Sequence, residues 1–225
     1  HTFIGDLNNN GVKDLNEFEI AVFRDQANYI KIFTPTNQFV KTYTNQFNQS
    51  LFLQPEALWG DKKGVRKLIS RFSNRANFRT SRKVSDRENY FNPFIANVDD
   101  SSLVTLNMGV LNTFYFNRTN NKFGADYIYQ NNSDKSLLVN GIESRNLFSH
   151  TIKTRWNITQ VYTLIVLASQ SQKNNFSEFF ANRNYDLLIH EIEPTFSIQP
   201  NVKFRISLLA NYKEKANAEN FGGEK

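Results

Sequence analysis

Six positions near the start of the chain have the donor types and spacing of a cation loop. Asp6, Asn8, Asn10, Val12, Asp14 and Glu17 stand at positions 1, 3, 5, 7, 9 and 12 of a loop that has Gly11 at position 6. A hard divalent cation such as Ca2+ takes about six to eight oxygens. The loop offers them from the side chains of Asp6, Asn8 and Asn10, the Val12 carbonyl, Asp14 directly or through water, and a bidentate Glu17. Gly11 supplies the left-handed turn that folds these groups onto one centre. An Asn/Asp-rich turn without metal is the alternative reading of the same residues.

No comparable set points to catalysis. His1, His150 and His190 are the only histidines, and the chain has no Cys, so a thiol nucleophile, a Cys-based zinc site and a disulfide scaffold are all excluded. No nucleophile elbow, zinc-protease helix or phosphate-cradling glycine loop occurs. Glu191 and Glu193 have the spacing of a paired-carboxylate glycosidase, but on a strand they are expected to pair with Arg205 and Lys203 across a turn at Pro200. The reading is therefore not that of an enzyme.

The cation loop, residues 5 to 18, resembles the EF-hand-like loops of secreted proteins such as dockerins and thrombospondin type 3 repeats. That resemblance implies a structural calcium site. A sensor is disfavoured: only five residues precede the loop, no second loop pairs with it, and Lys13 stands at position 8, where paired EF-hands carry an aliphatic. Residues 29 to 34 and 38 to 44 alternate around Pro35, Thr36 and Asn37 and predict a hairpin. Loop and hairpin together give a small β module over residues 1–60, bounded by the polar stretch from Trp59 to Gly64.

Residues 61–225 read as a different element that would position further charges. No window is long and apolar enough for a membrane helix, yet apolar residues recur on every second position. In residues 104 to 116, Val104, Leu106, Met108, Val110, Phe114 and Phe116 oppose Thr105, Asn107, Gly109, Thr113 and Tyr115. The same pattern predicts about seven membrane-crossing strands, near 66–83, 103–117, 123–130, 148–158, 161–170, 185–198 and 202–212. Charged side chains fall mid-strand, on the side away from the apolar residues: Arg71, Arg75, Arg79, Asp126, Lys153, Arg155, Glu191, Glu193, Lys203 and Arg205. Short links near 118–122, 159–160 and 199–201 alternate with long polar ones at 84–102, 131–147 and 171–184. Aromatic residues gather at both strand ends, with Phe114, Phe116, Phe123, Trp156, Tyr162, Phe196 and Phe204 near the short links and Tyr127, Tyr129, Phe148, Tyr185 and Tyr212 near the long ones. Tight turns at one end, long loops at the other and two aromatic girdles are the pattern of a transmembrane antiparallel β-barrel.

At this level residues 65 to 225 resemble the outer-membrane β-barrel proteins of Gram-negative bacteria, in particular the Asn- and aromatic-rich, Cys-free barrels of Bacteroidota. The stretches from Gly5 to Ile30 and from Asn45 to Phe47 look like regions that precede the barrel in that group. The resemblance implies an all-β fold, location in the bacterial outer membrane, contact with outer-membrane lipid and with other envelope proteins, and a role in transport, in secretion or as a scaffold. The ten charged residues would line the lumen. An odd strand count and abrupt ends predict a portion of a longer protein, since such barrels have an even number of strands. Two features resist this reading. Residues 161 to 168 are apolar on both faces, and His190 and Pro194 share the expected lipid face. The competing reading is a secreted calcium-dependent β-sandwich that binds glycans or cell-surface partners. A net charge of +6 could suggest nucleic acid, with Arg71, Arg75, Arg79, Arg82 and Lys83 as a basic stripe. Girdles and tight turns have no part in that function, so no nucleic-acid partner is expected.

Overall fold

A computed structural model describes residues 1–32, 34, 39–86, 92–93, 102–138 and 141–218. The chain is mostly antiparallel β. Two short strands, β1 (Thr2–Phe3) and β2 (Phe18–Glu19), pair with each other around the cation loop. All other strands belong to one sheet: β3 (Tyr43–Leu53), β4 (Phe72–Val84), β5 (Leu103–Phe116), β6 (Phe123–Leu138), β7 (Gly141–Asn157), β8 (Tyr162–Ser177), β9 (Tyr185–Asn201), β10 (Phe204–Leu209) and β11 (Tyr212–Asn217). They follow one another in simple up-and-down order from β3 to β9, and both β10 and β11 pair with β9. Among the described residues, no helix is long and apolar enough to cross a membrane.

The sheet is open. β3 forms one edge and β10 with β11 the other, and these edges are not paired with each other. β10 and β11 are one line of chain broken opposite Pro194. Leu209 pairs with Thr195 and Tyr212 with Ile192, leaving Ala210 facing Pro194. The Ala210 amide donates to the Pro194 carbonyl at 3.1 Å, but proline has no N–H to return the bond. The proline nitrogen is directed to this edge and not toward β8, so the β8–β9 ladder runs past Pro194 without interruption. A proline on the expected lipid face thus costs the outermost strand a bond and the interior of the sheet nothing.

Each strand expected in residues 61–225 is present, with several boundaries moved. Of the stretch 131–147, expected as a loop because it is polar, residues 131–138 and 141–147 are ladder: β6 and β7 stay paired out to Leu138 and Gly141. β8 likewise runs on to Ser177, so the link to β9 shrinks to residues 178–184. A polar run reads as loop only when one face must be dry, and here both faces of the extension are polar. Long and short links therefore do not alternate as expected, since β6 and β7 are joined through residues 139–140 alone; the 84–102 link lies largely outside the described residues.

Residues 66–71, expected as strand, are instead the end of a helical link. α1 (Glu56–Trp59) and α2 (Val65–Ile69) join β3 to β4. A Cβ on Gly60 would stand 2.7 Å from the Glu56 carbonyl, and Gly64 has φ 70°, so this compact path depends on both glycines. Residues 29–32 and 39–42 carry no strand, and the turn of the expected hairpin, residues 35–37, lies outside the described residues. Residues 43–53, read with the N-terminal module, form β3 and pair along their whole length with β4.

Candidate functional site

Register fixes which side chains share a face, because directly opposed residues in an antiparallel pair point the same way. One row crosses the sheet as Arg75, Thr113, Ile128, Thr151, Ser169, Glu191 and Lys213. A neighbouring row on this face runs Tyr115, Asp126, Lys153, Leu167 and Glu193. Arg79 and Arg155 fall on the same face by alternation, and Arg205 reaches the Ser197 hydroxyl there at 3.4 Å. The sheet therefore brings Arg75, Arg79, Asp126, Lys153, Arg155, Glu191, Glu193 and Arg205 onto one surface. Arg71 and Lys203 do not join them. Arg71 precedes β4 at the end of the helical link, and Lys203 sits in the turn between β9 and β10, its amide held by the Asn201 side chain at 2.9 Å.

Two of the carboxylates on this face have close partners. Lys213 meets Glu191 at 3.0 Å, and the Asn211 amide donates to Glu191 at 2.8 Å and to Glu193 at 3.0 Å. The expected partners Arg205 and Lys203 are displaced because the turn at 202–203 sets Glu191 opposite Lys213. Asp126 lies directly opposite Lys153 and, with Arg118 and Arg155, lines a recess of about 170 Å³. Glycine makes room for long cations at two points. A Cβ on Gly109 would stand 3.0 Å from Arg79 Nε and from Asn132 Oδ1, and one on Gly124 would touch Arg155 at 3.5 Å. Ile165 and Leu167 of the doubly apolar run lie among these charges, opposite Arg155 and Lys153.

The other face is apolar over part of its height. One row runs Phe114, Tyr127, Ile152, Ala168, Ile192 and Tyr212, and another runs Phe123, Trp156, Leu164, Phe196 and Leu208. Ring contacts join Phe72, Phe116 and Phe123 across three strands, with centroids 4.9 and 6.5 Å apart. Tyr162 stacks on Phe196 at 6.0 Å. These side chains are uncovered: Trp156 is 51% exposed, Ile152 52% and Ile192 45%, whereas Thr113 and Ser197 on the charged face are 9% and 4% exposed. Beyond the apolar rows the same face turns polar, through Tyr129, His150, Gln170, His190 and Glu214 in one row. The Tyr127 hydroxyl lies 2.6 Å from His150 Nδ1 at this boundary.

Of the second aromatic group, Tyr127, Tyr129 and Phe148 are on this face, mid-strand because β6 and β7 continue beyond them, and Tyr212 is on it at the start of β11. Tyr185 is on the charged face, paired with Asn175. Arg82, read with the basic stripe, is on the apolar face and buried at 4% exposure beside Thr80 and Val84. It is one residue out of phase with Arg75, Arg79 and Lys83, so a period of two already separates it from them. Asn92 and Pro93 lie against Asn45, Thr80 and Arg82. Val84, Leu103 and Leu106, with Tyr43 against them, form a small buried cluster at this corner.

Residues 5–18 form a tight, hydrogen-bonded loop. Ile4 N–H donates to the Glu17 carbonyl at 2.9 Å, closing the loop beneath the β1–β2 pair. Asp6 accepts the amides of Asn10 at 3.2 Å and Gly11 at 2.8 Å, and these donors hold its carboxyl below the usual carboxylate range. Glu17 is fully buried, accepting Leu7 N–H at 2.9 Å and Asp14 N–H at 3.1 Å. The side-chain amides of Asn8 and Asn10 both donate to Asp14 Oδ2 at 2.8 Å. Gly11 has φ 73° and Asn9 φ 54°, the left-handed positions that make the loop tight.

The donor set fits Ca2+ in kind. Oxygen-bearing side chains from positions 3, 5 and 9 already converge, and a half-turn of each amide presents oxygen in place of nitrogen. Among the described residues no three His, Cys, Asp or Glu side chains form a metal-holding group, so a cation in the loop would need amide and carbonyl oxygens as well. Lys13 has a local role that the comparison with paired loops did not suggest. Its ammonium sits over the Phe3 and Tyr29 rings, 5.2 and 5.0 Å from their centroids, and donates to the Tyr29 hydroxyl at 2.8 Å. It caps the Phe3, Phe18 and Tyr29 cluster that holds the module together.

Comparison with known proteins adds no name to this geometry. No family model, curated protein or solved structure matches the chain. Functional inference rests on the two faces of the sheet and on the loop.

Proposed function

We propose that the chain forms strands of a bacterial outer-membrane β-barrel, acting as a transport or secretion pore or as a scaffold subunit of an envelope complex, with a structural Ca2+ site in its N-terminal module. The observation that carries this reading is the inversion of the two faces. Large apolar and aromatic side chains stand uncovered on one face, while the charges gather on the other, where small polar groups such as Thr113 and Ser197 are buried between them. Water penalises that arrangement, whereas lipid against the apolar rows and an aqueous lumen against the charges favour it.

From Phe148 to Trp156 the outward face of β7 covers roughly 27 Å at about 3.4 Å per residue. Tilted by ~40°, this stretch rises about 21 Å against the ~25 Å height of an outer-membrane apolar band, with His150 as a polar position within it. The polar continuations of β6, β7 and β8 would then rise beyond the membrane. Lipid also requires that no backbone edge stay unpaired, at several kcal/mol per group. The two sheet edges run antiparallel, so the pattern can close directly or through further strands.

Detergent phase partitioning and heat-modifiable migration test the proposal. Recovery in the detergent phase, with migration that changes on boiling, supports it. Recovery as a soluble monomer without detergent overturns it in favour of the secreted β-sandwich.

A further inference from the structure

The links of the sheet divide between two ends. At one end lie the turns 117–122, 158–161 and 202–203, together with the helical link 54–71, whose Glu56 carboxylate accepts the Thr119 hydroxyl at 3.2 Å. At the other lie the end of β6 at Leu138, the start of β7 at Gly141, and residues 178–184. β3 starts at this second end: Tyr43 pairs with Val84, whereas Leu53 pairs with Asn74. The segment before Tyr43 therefore leaves the sheet on the side remote from the tight turns.

A separate contact places the N-terminal module at that same end. A cavity of about 260 Å³ is lined by His1, Leu15, Phe18, Tyr29 and Ile32 from the module and by Phe180 from the β8–β9 link. Phe180 sits on a supported base. The Arg183 guanidinium lies 4.7 Å from its ring centroid and approaches Glu143 at 3.7 Å. Phe179 packs over Gly141, where any Cβ would meet its ring at 2.5 Å.

We propose that the cation-loop module is seated on the β8–β9 link, with Phe180 as its anchor, on the external side of the membrane. The word external rests on the barrel reading, in which tight turns face the periplasm; the seating on Phe180 does not. The loop's three carboxylates, Asp6, Asp14 and Glu17, are diluted by two neutral amides. That composition suits the weaker, extracellular class of calcium site, with Kd on the order of 10⁻⁴ to 10⁻³ M.

The chain has no Cys, so a single introduced thiol is unambiguous. Asp25→Cys in the module and Val202→Cys, at 96% exposure in a tight turn, would be treated with a membrane-impermeant maleimide on intact cells. Asp25→Cys is expected to label at once and Val202→Cys only after the envelope is opened. Asp25→Cys labelling only in opened cells overturns the external placement, as does labelling of both in intact cells with the chain in the membrane fraction. Labelling of both with the chain outside that fraction overturns the barrel reading instead. For the seating, Phe180→Ala should speed limited proteolysis within residues 1–32 several-fold while the strands stay resistant, and Phe180→Leu should restore most of the protection. An unchanged rate in Phe180→Ala overturns the anchor.

Discussion

The module and the sheet are stabilised by different environments. In the module, a cluster of three rings, a two-strand clasp and a web of oxygens sit within residues 1–29, and nearly every bond is local. In the sheet, long ladders tie together residues far apart in sequence, but the described residues include only one small buried apolar cluster. On the proposed reading, a cation would gather the module's oxygens and lipid would cover the sheet's apolar rows. Each requirement is visible as a local breach of the ordinary rule that apolar groups hide and like dipoles separate.

The largest effect should come from reversing one face of the sheet. Ala168 lies in the apolar row between Ile152 and Ile192, while its neighbour Ser169 lies in the charged row between Thr151 and Glu191. Ala168→Arg should cost about 2–4 kcal/mol in a membrane and sharply lower the yield of heat-modifiable protein. Ser169→Arg, one residue away, should leave that yield near the parent value. Equal tolerance of both substitutions would remove the lipid assignment.

Much of this contrast could be read before any coordinates, and its failures have physical causes. Period two assigns faces without knowledge of neighbours, and the register does place Arg75, Arg79, Lys153, Arg155, Glu191 and Glu193 on one face of the sheet. Partners depend on register, which turn geometry sets, so Lys213 as the partner of Glu191 was out of reach. Strand ends are visible only where polarity changes. The doubly polar stretch 131–147 therefore hid its ladder, and β3 was misplaced although Phe47, Leu51 and Leu53 alternate as well as any other strand. In the loop, spacing singled out side chains that hydrogen-bond one another and the backbone, but the capping role of Lys13 required Tyr29, sixteen residues on, to be seen beneath it.

Next in size is the loop's buried carboxylate. Glu17→Gln keeps the shape but removes the charge that accepts two backbone amides, at roughly 1.5–3 kcal/mol for hydrogen bonds to a charged group. Limited proteolysis should show faster cleavage within residues 1–32 and no change in the strands, and isothermal titration should show Ca2+ binding weakened at least tenfold. Unchanged Ca2+ affinity would reduce the loop to a turn.

The smallest effect should follow from pH, and its sign is determined by Asp6. Hydrogen bonds from Gly11, Asn10 and Asn9 lower its folded value beneath the ordinary 3.8. A depressed value means that the unfolded chain binds the proton more readily, so the contribution is fully present above the unfolded value and fades as pH falls through the folded one. Protease protection of residues 1–32 should therefore hold from neutral pH down to about 4 and decline below it. Asp6→Asn should flatten that decline, because its side chain no longer titrates. If the parent and Asp6→Asn lose protection along the same curve, the acid sensitivity belongs to another group and the Asp6 turn contributes little to the module.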